Sequence, residues 1–277
     1  MPQTGSHWER RIERARELAA VHPFSAEILR FYSRVTAFQK DCYSRIESVY
    51  SSRRGPLRSL PPELDEVDLG LLLTRWKSFL STIRDEAPAP LADFARDLSA
   101  RDPSVGAAIL RSAWRGSVGS RSEWIEGNVF EDFCARAFLQ PYAEYLAHHI
   151  DLPEPPIHRP VCPCCGSPPL VGALRQQGDG AKRSLVCSFC RTEWDFLRIA
   201  CPACEEHDER KICVFSTPVF ACVRLEACET CRRYLKTVDL TKDGLAVPEV
   251  DELAAVPLTL WAAENGYSKV AGNIMGV

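Results

Sequence analysis

The sequence lacks any apolar run close to the roughly 18 residues needed to cross a bilayer, since its cluster at Leu69–Leu73 is short and contains Gly70. It also contains no P-loop, no nucleophile elbow and no His-Glu-x-x-His motif. The N-terminus is charged, with no apolar segment behind Arg10 and Arg11, so it does not have the pattern of an export signal. We therefore expect no membrane insertion, no enzyme activity and a cytoplasmic location.

An excess of positive charge is also missing. The chain has 34 Lys and Arg against 37 Asp and Glu, for a net charge of −3. Proteins that bind nucleic-acid phosphates concentrate Lys and Arg in a stripe. In the C-terminal half arginines and acidic residues are mixed instead: Arg191, Arg198, Arg232 and Arg233 with Glu193, Asp195 and Glu229. No nucleic-acid partner is expected, although a nucleic-acid-binding zinc ribbon remains an alternative.

Cysteine, in contrast, is abundant, with 13 residues. Eight of them form four Cys-x-x-Cys pairs: Cys162/Cys165, Cys187/Cys190, Cys201/Cys204 and Cys228/Cys231. Segments 166–186 (21 residues) and 205–227 (23 residues) separate the first pair from the second and the third from the fourth. Two pairs at about this separation are typical of a tetrahedral four-thiolate metal site. The sequence therefore predicts two such sites with these eight cysteines as ligands.

The two halves of this cysteine-rich region form an internal repeat, in which each repeat joins one Cys pair to the next through a predicted β-hairpin. The predicted strands are Leu170–Arg175 with Arg183–Cys187 around a Gly178–Gly180 turn, and Ile212–Phe215 with Val219–Leu225 around Ser216–Pro218. We expect each metal to bind within one repeat, while an interleaved arrangement in which the second and third pairs share a metal stays open.

A four-sulfur site suits both zinc and iron. The first pair reads Cys-Pro-x-Cys-Gly, which is typical of rubredoxin knuckles and of zinc ribbons alike. The other three pairs are followed by Arg191, Glu205 and Arg232 instead of glycine, which weakens a pure rubredoxin interpretation.

Five cysteines lie outside the four pairs. Cys164, inside the first knuckle, is expected to be a spacer although it could compete as a ligand. Cys213 and Cys222 are expected on the strands of the second hairpin, as small buried thiols. Cys42 and Cys134 fall on apolar helix faces and are expected in the core.

Residues 1–152 are predicted to be helical. Ser6 and Glu9 have the capping-box spacing, and apolar residues from Ile28 to Val49 recur every three or four positions. We expect this half to bury a core of its own and to end at a stiff proline-rich linker over 151–160. The predicted fold is α+β, a helical bundle followed by two tandem rubredoxin-like or zinc-ribbon modules. The predicted boundaries are 1–152 for the helical domain, 161–199 and 200–240 for the two modules, and 241–277 for a C-terminal helical tail.

Taken together, the residues resemble the formate dehydrogenase accessory protein (FdhE) family over essentially the whole chain. The resemblance is carried by Arg10-Arg11 with Leu18-Ala19 and His22-Pro23, by Cys162-Pro-x-Cys165-Gly166-Ser167, by Cys187-x-x-Cys190-x-Thr192-Glu193-Trp194, by Cys228-x-x-Cys231 with Tyr234-Leu235-Lys236, and by Gly266-Tyr267-x-Lys269.

The resemblance implies a non-catalytic maturation factor that binds the catalytic subunit of formate dehydrogenase. It also implies two rubredoxin-like sites, with iron favoured and zinc as the other option. A rubredoxin-type electron-transfer protein is the alternative from a different functional class. Glu193-Trp194 and Tyr234-Leu235-Lys236 adjoin the second knuckle of each repeat, where they either pack the module or contact the partner.

Overall fold

The structure, a computed structural model, describes residues 6–50, 64, 66–118, 128–150 and 159–276. Most of the predicted linker, 151–158, lies outside these residues. The described chain has a helical N-terminal part and a C-terminal part built on one β-sheet, which confirms the predicted α+β class.

Among the residues described, six α-helices form the N-terminal part: α1 (His7–Val21), α2 (Ala26–Tyr50), α3 (Glu66–Glu86), α4 (Ala89–Ser99), α5 (Pro103–Ser117) and α6 (Val129–His148). The predicted capping box begins α1, because the Ser6 N–H donates to Glu9 at 2.8 Å and the Glu9 N–H donates to the Ser6 hydroxyl at 3.3 Å. Asp102 and Asn128 cap α5 and α6 through their side-chain oxygens. These caps satisfy backbone donors that a helix leaves unpaired at its first turn.

The sheet contains seven strands: β1 (Pro169–Gln177), β2 (Gly180–Cys187), β3 (Glu193–Asp195), β4 (Ile212–Ser216), β5 (Val223–Cys228), β6 (Arg233–Asp239) and β7 (Ser268–Lys269). Their order is β3-β2-β1-β6-β5-β4, with β7 also paired to β6. Both predicted hairpins are present as antiparallel pairs, β1 with β2 and β4 with β5. A 3-10 turn, Pro218–Phe220, occupies the predicted start of the second hairpin's return strand, so β5 begins only at Val223.

The two repeats meet in the middle of the sheet, where β1 of the first pairs in parallel with β6 of the second. Gly172 in β1 lies opposite Thr237 in β6, and a Cβ on Gly172 would overlap the Thr237 side chain. Glycine therefore permits the close approach of the two strands. The modules predicted as 161–199 and 200–240 thus share one sheet, and their separate boundaries remain a prediction.

The core of the helical part continues into the first module. One cluster of buried residues joins Trp76 and Phe138 of the helices to Cys162, Leu185 and Phe189 of the sheet region. The expectation of a self-contained helical core was therefore incomplete, because apolar periodicity shows which helix face is buried but not what covers it.

The C-terminal segment contributes α7 (Pro248–Ala254) and α8 (Val256–Glu264) before β7. Helix α7 packs against α1 and against strands β1 and β6. It covers Lys236, whose ammonium group is fully buried and lies 3.1 Å from the Glu252 carboxylate. The described tail therefore contains two helices and the short strand β7, joined and flanked by turns and irregular segments.

A buried ion-pair network ties this tail to the N-terminal helices. The Arg11 guanidinium in α1 donates to both carboxylate oxygens of Glu144 in α6, each at 2.9 Å, and to Glu249 in α7. Burial disfavours the charged form of Glu144, but Arg11, His7 and Arg191 together outweigh burial and lower the pKa of Glu144 to about 2. Three segments distant in sequence thus depend on one cation.

We predict that Arg11→Met lowers the free energy of unfolding at pH 7 by about 3–5 kcal/mol, because Glu144 and Glu249 stay buried without their cation. Since the pKa of Glu144 is depressed from 4.5, its contribution is present above that pH in the wild type and is lost as pH falls toward 2. Urea unfolding with both metal sites loaded measures the change. Arg96→Met, which breaks the exposed pair with Asp93, is the matched control. Equal stabilities of the two variants would contradict the prediction.

Candidate metal centres

The eight paired cysteines form two groups of four, one in each repeat. Site 1 consists of Cys162, Cys165, Cys187 and Cys190, and site 2 consists of Cys201, Cys204, Cys228 and Cys231. In each site all four sulfur atoms lie within 4.8 Å of one another. The structure thus groups the cysteines within repeats and not in the interleaved arrangement. That these sulfurs bind a metal remains a prediction.

The sulfur geometry fits a tetrahedral ion. In site 1 the Sγ atoms of Cys162 and Cys190 are 3.6 Å apart and those of Cys165 and Cys187 are 3.4 Å apart. In site 2 the Sγ atoms of Cys201 and Cys231 are 3.6 Å apart and those of Cys204 and Cys228 are 3.7 Å apart. A metal–sulfur bond of about 2.3 Å requires sulfurs roughly 3.8 Å apart in a regular tetrahedron. Four thiolates at this spacing suit Zn²⁺ and iron alike.

All four Cys-x-x-Cys knuckles share one backbone feature. The residue after the second cysteine has a left-handed conformation in each knuckle: Gly166 (φ 79°), Arg191 (φ 58°), Glu205 (φ 61°) and Arg232 (φ 55°). In three of them the N–H of this residue donates to the carbonyl of the first cysteine at 2.9 Å. The missing glycines therefore leave the knuckle intact, and the left-handed residue is tolerated at an energetic cost.

Backbone N–H groups also point at the sulfurs. The Phe189 N–H donates to the Cys187 sulfur at 3.3 Å, and the Ala203 N–H donates to the Cys201 sulfur at 3.4 Å. Such bonds favour the thiolate form of a ligand.

Burial, in contrast, favours the neutral thiol form of these cysteines. It raises the pKa of Cys187 and of Cys190 well above the usual thiol value, whereas hydrogen bonds with the other cysteines, chiefly Cys162, lower the pKa of Cys165. A buried cluster of thiols cannot hold several negative charges by itself. A divalent ion would supply the positive charge that four thiolates require.

The two sites differ sharply in exposure. All four cysteines of site 1 are at most 1% exposed and belong to the cluster shared with the helices, where Trp114 of α5 packs edge-on against Phe189 at 5.6 Å. In site 2, Cys204 is exposed and Cys231 is half-buried. Site 1 therefore lies inside the core, and site 2 lies at the surface.

Three of the five remaining cysteines occupy the places expected of them, whereas Cys213 and Cys222 were expected to be buried and are half-buried. Cys164 is buried but is not part of the site 1 group, and Cys42 and Cys134 are buried in helices. Cys213 is half-buried on β4. Cys222, also half-buried, precedes β5 and so is not on a strand.

A third group, Cys222 with Asp243 and Asp251, was not recognised from the sequence. The Arg14 guanidinium contacts both carboxylates, at 2.6 Å each, and supplies the positive charge there. The group therefore joins α1 to the tail by ion pairs.

Most residues of the two segments beside the second knuckles are packing residues. Trp194, Tyr234, Leu235 and Lys236 are all at most 4% exposed. The Trp194 indole donates to the Arg159 carbonyl at 2.9 Å. Glu193 is exposed, but Arg175 and Ser184 donate hydrogen bonds to its carboxylate. The packing interpretation fits these contacts, and partner contact through the four buried side chains does not.

Within the described part of the chain, every helix is too short or too polar to cross a membrane.

Comparisons with known proteins agree with the resemblance seen in the sequence. A family model described as "FdhE, central domain" matches residues 161–198, and one described as "FdhE, C-terminal domain" matches residues 199–275. A protein named "Protein FdhE homolog" from Aquifex aeolicus is 27% identical over 92% of this chain and 90% of its own length. A Pseudomonas aeruginosa protein of the same name is 37% identical over 42% of this chain and 40% of its own length.

The fold agrees as well. The crystal structure of the FdhE protein from Pseudomonas aeruginosa superimposes with a TM-score of 0.71 at 25% identity, covering 99% of this chain and 98% of that one. The predicted resemblance to the FdhE family is therefore confirmed.

We predict that the two metals leave at different rates. A competing chelator should remove one equivalent quickly from exposed site 2 with helical circular dichroism retained, because that site lies outside the helical core. The second equivalent should leave slowly and with loss of near-ultraviolet signal, since site 1 is part of the core. Elemental analysis of desalted samples follows the release. Cys204→Ser should remove the fast equivalent and Cys165→Ser the slow one. Release of both equivalents at one rate would contradict this assignment.

We also predict that Glu205→Gly raises the free energy of unfolding by about 1 kcal/mol relative to Glu205→Ala, because glycine adopts the left-handed conformation without steric cost. Glu205 is exposed and its side chain makes no hydrogen bond or ion pair with any described residue, so the comparison isolates the backbone. Urea unfolding of the metal-loaded variants measures the difference. Equal stabilities of the two variants would show that the knuckle is not strained at this position.

Proposed function

We propose that this chain, as a member of the FdhE family, is a non-catalytic accessory factor needed to form active formate dehydrogenase. In this proposal it binds the catalytic subunit of that enzyme in the cytoplasm during maturation. The observation that carries the proposal is the match to FdhE proteins along almost the entire chain, in both sequence and fold. Reduced cysteines at both sites fit a cytoplasmic location.

The geometry of the metal centres supports a role without catalysis at the metal. Each site offers four protein thiolates to one ion, which fills a tetrahedral coordination sphere. Zinc enzymes instead keep one coordination position open for water or substrate. We therefore infer that the ions stabilise the two modules and do not activate a substrate.

We infer that both ions are iron, as in rubredoxin. The left-handed residue in all four knuckles removes the objection that three pairs lack glycine, because these pairs have the same local backbone as the Cys-Pro-x-Cys-Gly pair. Elemental analysis of anaerobically purified protein, with an absorption spectrum, tests it. Iron produces thiolate charge-transfer bands, and zinc produces none.

An electron-transfer role is the second candidate, favoured by one observation. Cys204 is exposed and Cys231 is half-buried, so an iron ion at site 2 would lie close to the surface where a redox partner can approach. Reversible reduction and oxidation without loss of metal, together with no binding to the catalytic subunit, would favour this candidate.

Two of the four arginines beside the cysteine pairs, Arg191 and Arg232, have partners within the protein, which does not favour nucleic-acid binding. Arg191 is buried and donates to the Cys187 and Ser188 carbonyls. Arg232 is paired with Glu229 at 2.5 Å and stacks over the Tyr267 ring. These side chains are therefore engaged within the protein and do not form a phosphate-binding stripe.

We predict that the immobilised, metal-loaded chain captures the catalytic subunit of formate dehydrogenase. Capture should be lost in Cys165→Ser, because site 1 lies in the core that joins the helices to the sheet, and retained in Cys222→Ser, a cysteine outside both sites. Quantified capture under anaerobic reducing and oxidising conditions is the measurement. Equal capture in both conditions would exclude a redox-controlled interaction, and no capture by the wild type would contradict the proposed function.

A further inference from the structure

The two ends of the sheet are protected very differently. At one end, β3 has three residues, two of them the acidic Glu193 and Asp195. At the other end, β4 has five residues, Ile212–Ser216, with no charged side chain and no proline. Natural proteins usually protect a sheet edge with charges, proline, a bulge or a short strand, because an open edge pairs with other chains. Edge β4 has none of these within its length.

The register of the sheet shows which backbone groups of β4 face outward. The Glu229 N–H donates to the Lys211 carbonyl at 2.9 Å, in the same register that pairs Ile212 with Cys228. Hydrogen-bonded and non-hydrogen-bonded pairs alternate along an antiparallel ladder. Residues 213 and 215 therefore bond to β5, and residues 212, 214 and 216 direct their backbone groups away from it.

A second hydrogen bond, on the far side of β5, agrees with this assignment. The Asp239 N–H donates to the Cys222 carbonyl at 2.7 Å, in the register that pairs Val223 with Val238. Even-numbered residues of β5 thus bond to β6, and its odd-numbered residues, Leu225 and Ala227, face β4. These two are the partners of residues 215 and 213.

Most of the outward groups have no partner among the described residues. The Ile212 N–H bonds to the Glu209 carbonyl, but the N–H and C=O groups of Val214 and Ser216 make no backbone or side-chain hydrogen bond on the open side. The Val214 side chain is 55% exposed at the centre of the strand, and Ser216 is exposed beside it. The edge therefore offers an apolar centre and a short row of free donors and acceptors.

The edge is packed on one face and limited in length. Phe215 packs against Trp261 of α8 with ring centroids 4.5 Å apart, which anchors the strand from behind. Arg210 and Lys211 precede the strand, and Pro218 follows it. Since the β4–β5 hairpin connects Cys204 to Cys228, site 2 also holds this edge in place.

We propose that the free edge of β4 is the docking surface for the partner, and that it pairs with an extended segment of the catalytic subunit that places an apolar side chain against Val214. This inference rests on the proposed function. The open backbone groups select an extended polypeptide, because only a strand offers N–H and C=O groups at the matching spacing. A catalytic subunit that has not completed its fold presents such segments, and a completed sheet does not.

The size of the edge favours this occupant over a second copy of the chain. Five strand residues extend over about 17 Å. Two copies paired along that length alone bury far less than the roughly 1,200 Å² of a stable interface. Weak pairing suits a factor that must release its partner once the enzyme is mature.

The test compares two substitutions at one position in the full-length, metal-loaded chain. Val214→Pro removes the outward N–H and puts a ring in the path of an added strand, while the bonds of residues 213 and 215 to β5 are kept. Val214→Thr retains the N–H and the β-branched shape. The probe is the catalytic subunit made by in vitro translation without its metal cofactor. We expect Val214→Thr to capture it like the wild type and Val214→Pro to capture it roughly tenfold less.

Hydrogen exchange provides a measurement that needs no substitution. In the free chain the amides of residues 213 and 215 should exchange slowly and those of Val214 and Ser216 quickly. Addition of the catalytic subunit should slow exchange at Val214 and Ser216. Unchanged exchange at these two amides in a complex that forms would overturn the docking site, even if Val214→Pro does not fold.

Other outcomes identify different surfaces. Val129→Lys alters a residue that is 68% exposed on the rim of an apolar groove of about 880 Å³. Loss of capture in Val129→Lys, with full capture in Val214→Pro, would place the partner in that groove. A wild-type dimer in sedimentation analysis that Val214→Pro dissociates would make the edge a contact between two copies. No capture by the wild type would overturn the proposed function itself, which separates that failure from failure of the docking site.

Discussion

The arrangement of the C-terminal part depends on one constraint, the convergence of four cysteine sulfurs on a tetrahedral point at each site. Each site joins a knuckle before a hairpin to a knuckle after it, so an ion bound there would determine where the two ends of the hairpin meet. A hairpin of about this size is at best marginally stable by itself. A structural tetrahedral ion contributes on the order of 10–16 kcal/mol, which is folding free energy for such a unit.

The two sites have equivalent sets of four cysteines, but they occupy different positions in the tertiary structure. Site 1 is enclosed by the core that the helices share with the first hairpin, so an ion bound there would support contacts far beyond its own ligands. Site 2 lies at the surface, and its hairpin ends in the open strand β4. Parallel pairing of β1 with β6 joins the repeats. The Arg11 network attaches the tail to the N-terminal helices, and the ion pair of Lys236 with Glu252 attaches it to the sheet. One repeat thus stabilises the molecule internally while the other presents a surface.

Several features followed from local sequence patterns. The capping box at Ser6, the helical periodicity of α2 and the two hairpins each depend on residues close together in the chain, and the structure confirms them. The grouping of the cysteines followed from the repeat, because a short hairpin returns each second pair to its own first pair. The strand β6 was not predicted, since its burial comes from neighbours on both sides and from helix α7. The left-handed conformation of Arg191, Glu205 and Arg232 was also not predicted from the sequence, because the knuckle geometry imposes it on residue types that do not prefer it.

By itself, the sequence determined the class of fold, the two sets of candidate ligands and the resemblance to FdhE proteins, because spacing and residue type carry this information along the chain. Only the tertiary structure decided which set is buried, where the helices meet the sheet, and which strand is left open at the edge. Those properties depend on contacts between segments such as α1, α6 and α7, which lie more than 100 residues apart, since Arg11 is 133 positions from Glu144 and 238 from Glu249. The spacing of apolar residues within a segment does not show which distant segment will pack against it.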